Sequence, residues 1–182
     1  MAETATRRSV LAGRQGGSWA VRLTPAANAT RVALRAPQAS LSALSSALGV
    51  TIPNAPKTSG RANGRSVLWI GPDEWLVIDE NGGDLMGALA GAGVLHSATD
   101  VSHRNVGIIV SGPGAELALA SGCPQDLSLA AFPVGACSRT IFGKAEIVIF
   151  RTEDDTFRVE CWRSFADFVF GLLADGAEDA AH

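Results

Sequence analysis

The sequence has few of the residues that build metal sites and disulfide frameworks. It contains three cysteines and three histidines, and neither set recurs at the spacing of metal ligands. No Cys-x-x-Cys occurs, which argues against structural zinc. An odd number of cysteines without paired spacing is typical of free, buried thiols. We therefore expect no metal site in this chain, and we expect the protein to be cytoplasmic.

Long apolar runs and a strong charge imbalance are also missing. No apolar run approaches the roughly 20 residues that a membrane-spanning helix needs. A net charge of -3 gives no basis for binding nucleic acid or an anionic membrane, so we predict neither as a partner. What remains is a chain of 182 residues with 47% hydrophobic and 18% charged residues. That composition is typical of a soluble globular protein with one domain or two small lobes.

The chain begins with a short basic motif. Residues 6–11 (TRRSVL) resemble the start of a twin-arginine export signal. Residues 12–17 (AGRQGG) are polar and glycine-rich, where such a signal needs an apolar stretch. We therefore predict that residues 1–17 form a flexible N-terminal arm.

The clearest local structure is a β-hairpin at residues 66–80 (SVLWIGPDEWLVIDE). Two runs of β-branched and aromatic residues flank a turn in which Pro72 presets φ. Both arms are apolar on consecutive residues, so we expect both faces to be covered, one by helices and one by another layer or a partner. Trp69 and Trp75 lie in the arms, and an indole needs a hydrogen-bond acceptor when it is buried. Trp69, Pro72 and Trp75 are therefore candidate structural or interface residues.

The first half of the chain is organised around this hairpin. It is predicted to begin with two strands, at residues 18–23 and 31–35. A helix follows that is capped by Ser40, has Leu41, Leu44 and Leu48 on one face and ends at Gly49. A loop at residues 50–65 leads to the hairpin, and a helix at residues 84–92 comes after it.

The second half repeats the pattern. It is predicted to contain a strand at residues 105–111, a helix at 114–121, a hairpin of residues 138–142 and 146–150, a strand at 157–162, and a helix capped by Ser164 with Phe165, Phe168 and Leu172 on its apolar face. We predict an α+β protein with two pseudo-symmetric strand-helix-hairpin-helix lobes. The lobes would span residues 18–98 and 99–175, and residues 176–182 would form a C-terminal tail.

The richest polar cluster is residues 100–104 (DVSHR). A nucleophilic pair of Ser102 and His103 is disfavoured, because neighbouring side chains of a strand point to opposite faces. The G-x-S-x-G elbow and the glycine-rich phosphate motifs are absent as well. Residue chemistry alone therefore predicts no catalytic site here.

Several motifs in the second half resemble the folate-binding aminomethyltransferase family. Residues 100–103 (DVSH) followed by residues 110–115 (VSGPGA) resemble its DVSH…VxGPxA signature, and residues 124–126 (PQD) and 153–159 (EDDTFRV) resemble two later segments. The resemblance covers residues 99–162. It implies a fold like the folate-binding domain of these transferases.

Four motifs resemble one branch more closely, the gamma-subunit family of heterotetrameric sarcosine oxidases. They are residues 68–78 (LWIGPDEWLVI), 99–106 (TDVSHRNV), 121–127 (SGCPQDL) and 163–168 (RSFADF). The resemblance implies a structural subunit that contacts the alpha subunit directly, in a complex with beta and delta subunits. That complex would oxidatively demethylate sarcosine to glycine, with hydrogen peroxide and formaldehyde or methylenetetrahydrofolate as products. It would hold FAD, FMN, NAD, tetrahydrofolate and zinc in its other subunits.

One departure from the transferase pattern bears on chemistry. The transferases carry a GGIIDD-like stretch whose last Asp contacts folate, whereas this chain has residues 143–146 (GKAE), ending in Glu146. We therefore expect no catalytic, cofactor-binding or metal-binding residue in this chain. Asp100, His103 and Arg104 would serve structure or an interface. The alternative is a free-standing folate-binding module that retains one-carbon chemistry.

Overall fold

The computed structural model describes residues 10–182. Its strands are β1 (Gly16–Gly17), β2 (Arg22–Pro25), β3 (Thr30–Arg35), β4 (Ser59–Ala62), β5 (Arg65–Gly71), β6 (Glu74–Asp79), β7 (Ser97–Asp100), β8 (Asn105–Ser111), β9 (Cys137–Phe142), β10 (Ala145–Glu153) and β11 (Thr156–Trp162). Its helices are α1 (Leu41–Leu48), α2 (Leu85–Ala90), α3 (Ala115–Ala120) and α4 (Ala166–Asp179). Short 3₁₀ turns, Gln38–Ser40 and Arg163–Phe165, precede α1 and α4.

The strands form two antiparallel sheets that pack face to face between two layers of helices. One sheet has the order β1-β2-β8-β11-β10-β9 and the other has the order β4-β5-β6-β3-β7. α3 and α4 cover the outer face of the six-stranded sheet, and α1 and α2 cover that of the five-stranded sheet. The α+β class and the repeated strand, helix, hairpin and helix of the two halves are confirmed.

The tryptophan hairpin lies at the centre of the five-stranded sheet, as β5 and β6. Trp75 and Val77 face α1 and α2, while Leu76 and Ile78 face the other sheet. The prediction that both faces are covered is therefore confirmed. Strand alternation produces this result, because an apolar run on consecutive residues supplies both faces at once.

The chain before β3 joins the sheet of the second half rather than that of the first. β2 pairs with β8, with Leu23 opposite Val110, and β1 pairs with β2. Residues 1–9, which include most of the twin-arginine-like motif, lie outside the described residues. Of the predicted arm, Leu11 is fully buried and Val10 packs against the core, while Gly16 and Gly17 pair with β2. The division into lobes at residues 18–98 and 99–175 stays a prediction, and the sheets divide the chain differently.

Two segments predicted to be irregular contain regular structure. The predicted loop at residues 50–65 holds β4, which pairs with β5 as an edge strand. The predicted tail at residues 176–182 continues α4 to Asp179, with Gly176 and Ala177 buried. Both were missed because β4 (SGRA) and the end of α4 contain no large apolar residue, and the buried part of that helix end consists of small residues that allow close packing. A Cβ on Gly176, for example, would lie 2.7 Å from the carbonyl oxygen of Ala118.

The predicted apolar face of the last helix is wrong by one position. The buried face comprises Ala166, Val169, Phe170, Leu173, Gly176 and Ala177. Phe165 and Phe168, predicted to be inside, are 39% and 37% exposed. Small residues form much of the true face because α4 packs closely on α3. Ser164 does not cap this helix, since it lies within the preceding 3₁₀ turn.

The first helix has the predicted face and end but not the predicted cap. Leu41, Leu44 and Leu48 are buried, and Gly49 ends the helix in the left-handed conformation with φ 65°. The Ser40 side chain makes no capping hydrogen bond and instead donates to the carbonyl oxygen of Leu95 at 2.7 Å. That contact is distant in sequence, so no local pattern signals it. No helix in residues 10–182 combines the length and apolar character needed to cross a membrane.

Candidate functional site

The polar cluster that follows β7 forms a turn rather than a strand. Ser102 to Arg104 are turn residues between β7 and β8. The Asp100 carboxylate accepts a hydrogen bond from the Ser102 amide at 2.8 Å, which fixes the turn. We expected Ser102 and His103 to lie on a strand and to face opposite ways. That expectation is wrong, because both residues lie in the turn.

The Ser102 hydroxyl has a structural role. Its Oγ accepts a hydrogen bond from the Arg31 amide at 2.8 Å, and the Val101 amide donates to the Arg31 carbonyl at 2.9 Å. The turn is thus tied to β3, which continues the pairing of β7 with that strand. His103 and Arg104 are exposed at the tip of this turn.

Directly beneath the turn lies a buried cluster of charged side chains, Arg31, Arg158 and Glu160. The Glu160 carboxylate accepts from Arg31 Nε at 2.6 Å, from Arg31 Nη2 at 3.1 Å and from Arg158 Nε at 2.8 Å. All three residues are at least 95% buried between the two sheets. Two guanidinium groups thus share one buried carboxylate, which is an arrangement that is costly to disrupt.

The second carboxylate near this cluster is at the surface. Arg158 Nη1 donates to Glu80 at 2.5 Å, and the Glu80 side chain is 60% exposed. Arg158 Nη2 is buried and has no hydrogen-bond partner. It lies beside Gly107, where an added Cβ would be 3.2 Å from Arg158 Nη2 and 2.7 Å from Glu160 Oε1. A glycine at this position of β8 therefore leaves the space that the charged groups fill.

Two clefts open between the sheets, one at each end. The first has a volume of about 60 Å³, and its lining includes Glu74, Arg104, Arg139, Glu146 and Trp162. Arg139 pairs with Glu74 at 3.1 Å across it. Glu146, the last residue of the GKAE stretch, lies exposed at its edge.

The second cleft, at the opposite end, is larger. It has a volume of about 460 Å³ and lies between β4–β6 on one side and β10–β11 on the other. Arg61 stacks over Phe150 at 5.5 Å along its wall, and Arg65 and Arg158 also line it. Asp100, His103 and Glu146 do not line this cleft.

The cysteines are buried thiols. Cys123, Cys137 and Cys161 are all free and buried. Burial raises the pKa of the Cys137 thiol to about 12, and burial together with the nearby Glu160 carboxylate raises that of Cys161 to about 12. At neutral pH both stay protonated, so neither is a nucleophile or a ready metal ligand. Within residues 10–182, no group of three or more His, Cys, Asp or Glu side chains is placed to hold a metal ion.

The other predicted candidates lie away from these clefts or at their margins. Trp75 is 1% exposed, and its indole N–H donates to the Pro53 carbonyl at 2.7 Å. Trp69 is half-buried and packs at the margin of both apolar clusters of the five-stranded sheet. Pro72 is exposed at the hairpin turn. The structure therefore brings Arg104 to the smaller cleft but leaves Trp69, Pro72 and Trp75 outside it.

Sequence reasoning missed the buried charged cluster. Arg31, Arg158 and Glu160 lie in strands that were predicted, but none of the three was named as a candidate site residue. One signal was available: Arg158, Glu160 and Trp162 alternate with the apolar Phe157, Val159 and Cys161 along β11. Because the apolar set must face the helix layer, the charged set must face the other sheet.

Comparisons with known proteins agree with each other. The sequence profile of the sarcosine oxidase gamma subunit family matches residues 33–179. The gamma subunit of sarcosine oxidase from Arthrobacter sp. is 37% identical over 167 residues, which are 89% of this chain and 82% of that protein. The corresponding subunit from Corynebacterium sp. (strain U-96) is 31% identical over 173 residues, which are 92% of this chain and 84% of that protein.

Solved structures give the same picture. A chain of the heterotetrameric sarcosine oxidase from Corynebacterium sp. U-96, in complex with pyrrole 2-carboxylate, superposes with a TM-score of 0.87 at 29% identity, over 97% of both chains. The glycine cleavage system aminomethyltransferase T from Bartonella henselae superposes with a TM-score of 0.62 at 15% identity, over 83% of this chain and 44% of that one. The second likeness shows a shared fold.

Proposed function

The chain belongs to the sarcosine oxidase gamma subunit family, and on that premise we propose that it is a structural subunit of a heterotetrameric sarcosine oxidase with no active site of its own. The complex would oxidatively demethylate sarcosine to glycine in the cytoplasm. Hydrogen peroxide and formaldehyde, or methylenetetrahydrofolate, would be the other products. This chain would contact the alpha subunit, with beta and delta subunits completing the assembly.

The observation that supports the structural role is the small volume of the smaller cleft. Its volume of about 60 Å³ lies far below the roughly 300–1,000 Å³ of pockets that hold organic ligands. The Arg139–Glu74 pair spans it, and the Glu146 carboxylate is exposed beside it. The residues present therefore do not fit tetrahydrofolate at this position.

Two other polar residues of the signature, Asp100 and Ser102, make structural contacts. Ser102 is held by the backbone of Arg31, and Asp100 fixes the turn. A group that serves as a general acid or base has to reach a substrate proton. FAD, FMN, NAD, tetrahydrofolate and zinc would accordingly be held by other subunits, and this chain would supply packing surface.

Two variants of the assembled complex test whether this chain contributes a catalytic residue. His103→Ala and Glu146→Ala should each leave sarcosine turnover and folate-dependent formaldehyde capture within a few-fold of the unmodified complex. Removing a true general acid or base lowers turnover by about 10²–10⁴-fold. Assembly is checked by gel filtration before kinetics, and a hundredfold loss in a fully assembled variant would contradict the proposal.

Titration of the purified chain with tetrahydrofolate tests the alternative of a free-standing folate module. Calorimetry should detect no saturable binding up to millimolar ligand. Two results together would support the folate module: saturable binding, and a weakening of that binding by Glu146→Ala but not by Asp155→Ala in the distant acidic turn. Co-purification of the chain from its native host with oxidase subunits is the complementary observation that the structural proposal requires.

A further inference from the structure

Three of the four exposed aromatic side chains in residues 10–182 lie together at one end of the molecule. They are Trp162, Phe165 and Phe168, exposed by 40%, 39% and 37%, and Ile141 beside them is 49% exposed. The fourth aromatic, Trp19, lies elsewhere in the turn before β2. We name the group formed by Ile141, Trp162, Phe165 and Phe168 the aromatic patch.

Strand register and helix entry bring these four residues together. Ile141 of β9 lies opposite Glu146 of β10, and the register of β10 with β11 places Trp162 next in that row. The rings of Trp162 and Phe165 lie 6.3 Å apart. Phe168 lies against the β9–β10 turn, where a Cβ on Gly143 would be 3.4 Å from its ring. The patch therefore extends from the inner row of the six-stranded sheet, through Trp162 and Phe165, to the start of α4.

Two cationic side chains lie over rings of the patch. The Arg104 guanidinium lies over the Trp162 ring at 5.0 Å, and the Lys144 ammonium lies over the Phe168 ring at 5.4 Å. Glu146 is the carboxylate in the same row, while Asp167 on α4 is paired with Arg14 at 2.6 Å. The patch is thus locally positive in a chain whose net charge is -3.

We propose that the aromatic patch is the docking surface for the alpha subunit of the oxidase complex, whose facing surface is apolar at its centre and acidic at its rim. The proposal rests on the proposed function. Aromatic residues and Arg are enriched at the centres of protein interfaces, where they contribute most of the binding energy. The cations over the rings select an acidic rim by charge complementarity.

The size of the patch fits the centre of such an interface. Three aromatic side chains and one isoleucine, each about two-fifths to one-half exposed, present roughly 300 Å² in total. A stable interface buries about 800 Å² on each partner, so the patch would be its apolar centre and the charged residues its rim. Exposed apolar patches of a few hundred Å² are often functional surfaces.

The main experiment measures assembly of the complex with the double variant Trp162→Ser, Phe168→Ser. We expect the affinity of the chain for the rest of the complex to fall about thirtyfold or more, as for central interface residues. The matched control is the pair Leu95→Ser, Leu117→Ser. These residues are 77% and 61% exposed but lie outside the patch, so assembly should not change.

Charge reversal tests the acidic rim independently of the rings. Arg104→Glu and Lys144→Glu should each slow association severalfold at low salt and weaken its salt dependence. The control is Arg22→Glu, an exposed cation at the far end of the six-stranded sheet, which should associate normally. Equal effects of all three reversals would overturn the assignment of the rim to this patch.

Hydrogen exchange of the unmodified complex guards against a variant that simply fails to fold. Amides in residues 139–146 and 161–169 should exchange more slowly in the complex than in the free chain. Protection that falls only on other segments would overturn the proposal, as would an isolated chain that dimerises through the patch. If no oxidase subunit accompanies the chain from its host, the proposed function itself fails; if the complex forms and the patch variants assemble normally, only this inference fails.

Discussion

The outer faces of the two sheets and the space between the sheets are built from different kinds of residue. Under the helices the packing is apolar, as with Leu44, Val67 and Trp75 on the five-stranded sheet. Between the sheets a smaller apolar cluster around Leu76 and Val148 is flanked by the buried charges of Arg31, Arg158 and Glu160. Both clefts also open there.

The apolar faces and the buried charges have different roles: the first stabilise the fold, and the second specify how the two sheets are arranged. Apolar burial is non-directional, so the helix-covered faces supply driving force without fixing how one sheet sits on the other. The shared carboxylate of Glu160 joins β3 of one sheet to β11 of the other through directional hydrogen bonds. We infer that the charged cluster fixes how one sheet is placed on the other, whereas the apolar faces supply the driving force for folding.

The largest expected effect is on the helix-covered face. Trp75→Ala removes a fully buried indole and leaves the Pro53 carbonyl without its donor, so the free energy of unfolding should fall by about 3–5 kcal/mol. Urea unfolding followed by circular dichroism measures it. Trp19→Ala is the matched control, since Trp19 is 83% exposed and its removal should change stability by less than about 0.5 kcal/mol. Equal effects of the two variants would contradict the assignment of Trp75 to the core.

The next effect is between the sheets. Glu160→Gln keeps the shape of the side chain but leaves the buried Arg31 guanidinium without a carboxylate and Arg158 with only the exposed Glu80. This change should cost about 3 kcal/mol in the free energy of unfolding.

A triple variant, Arg31→Met, Glu160→Leu, Arg158→Met, sharpens the interpretation of that loss. Replacing a buried ionic cluster with apolar residues of similar volume is often neutral or stabilising, so most of the lost stability should return. A triple variant that is less stable than Glu160→Gln would mean that the charges themselves stabilise the fold.

A smaller effect depends on pH and concerns the margin of the helix-covered face. Burial alone raises the pKa of Asp79, but hydrogen bonds from Arg65 and the Asn81 amide, with the charge of Arg65, outweigh it and hold the pKa below its ordinary value of 3.8. A lowered folded pKa stabilises the fold at pH values above the unfolded pKa, and the contribution is lost as pH falls through the folded value. Asp79→Asn should therefore be less stable than the natural chain at pH 7, by about 1–3 kcal/mol.

The stability difference between Asp79→Asn and the natural chain should shrink below about pH 4, as measured by thermal unfolding across the acid range. Asp84→Asn is the comparison, because Asp84 caps α2 at its exposed end through the Gly87 amide at 2.8 Å. A difference for Asp79→Asn that stays constant down to pH 2 would contradict the pairing with Arg65.

The smallest effect separates a cap from a long-range contact. Ser40→Ala removes the hydroxyl that donates to the Leu95 carbonyl, and the free energy of unfolding should fall by about 1 kcal/mol. If the hydroxyl acts through that contact, hydrogen exchange should quicken near residues 95–98 rather than in the first turn of α1. Faster exchange confined to that first turn would restore the capping role.

Local chemistry was enough to predict most of the elements in this fold. The hairpin of β5 and β6, the helix ending at Gly49 and the hairpin around residues 143–144 follow from residue periodicity and turn chemistry. The face of α4 was misassigned because Phe165 and Phe168 are apolar but exposed, while Ala166 and Gly176 are small and buried. Size and hydrophobicity do not reveal which helices approach each other closely.

The candidate site was less predictable for the same reason. The motif at residues 100–103 was visible in the sequence, but the partner of Ser102 is Arg31, 71 positions away. Glu160 and Arg31 are 129 positions apart, and no local pattern joins them. Their proximity exists only because the two sheets stack.

The sequence by itself determined the class of the fold, the apolar strands that form both sheets and the likeness to one protein family, because these depend on periodicity and on short motifs. Only the tertiary structure decided that residues 16–25 join the six-stranded sheet, that Glu160 pairs with two arginines between the sheets, and that three aromatic rings remain exposed at one end. These features depend on contacts between distant segments. Their free energies are set by burial and charge pairing, which arise only when the layers pack together.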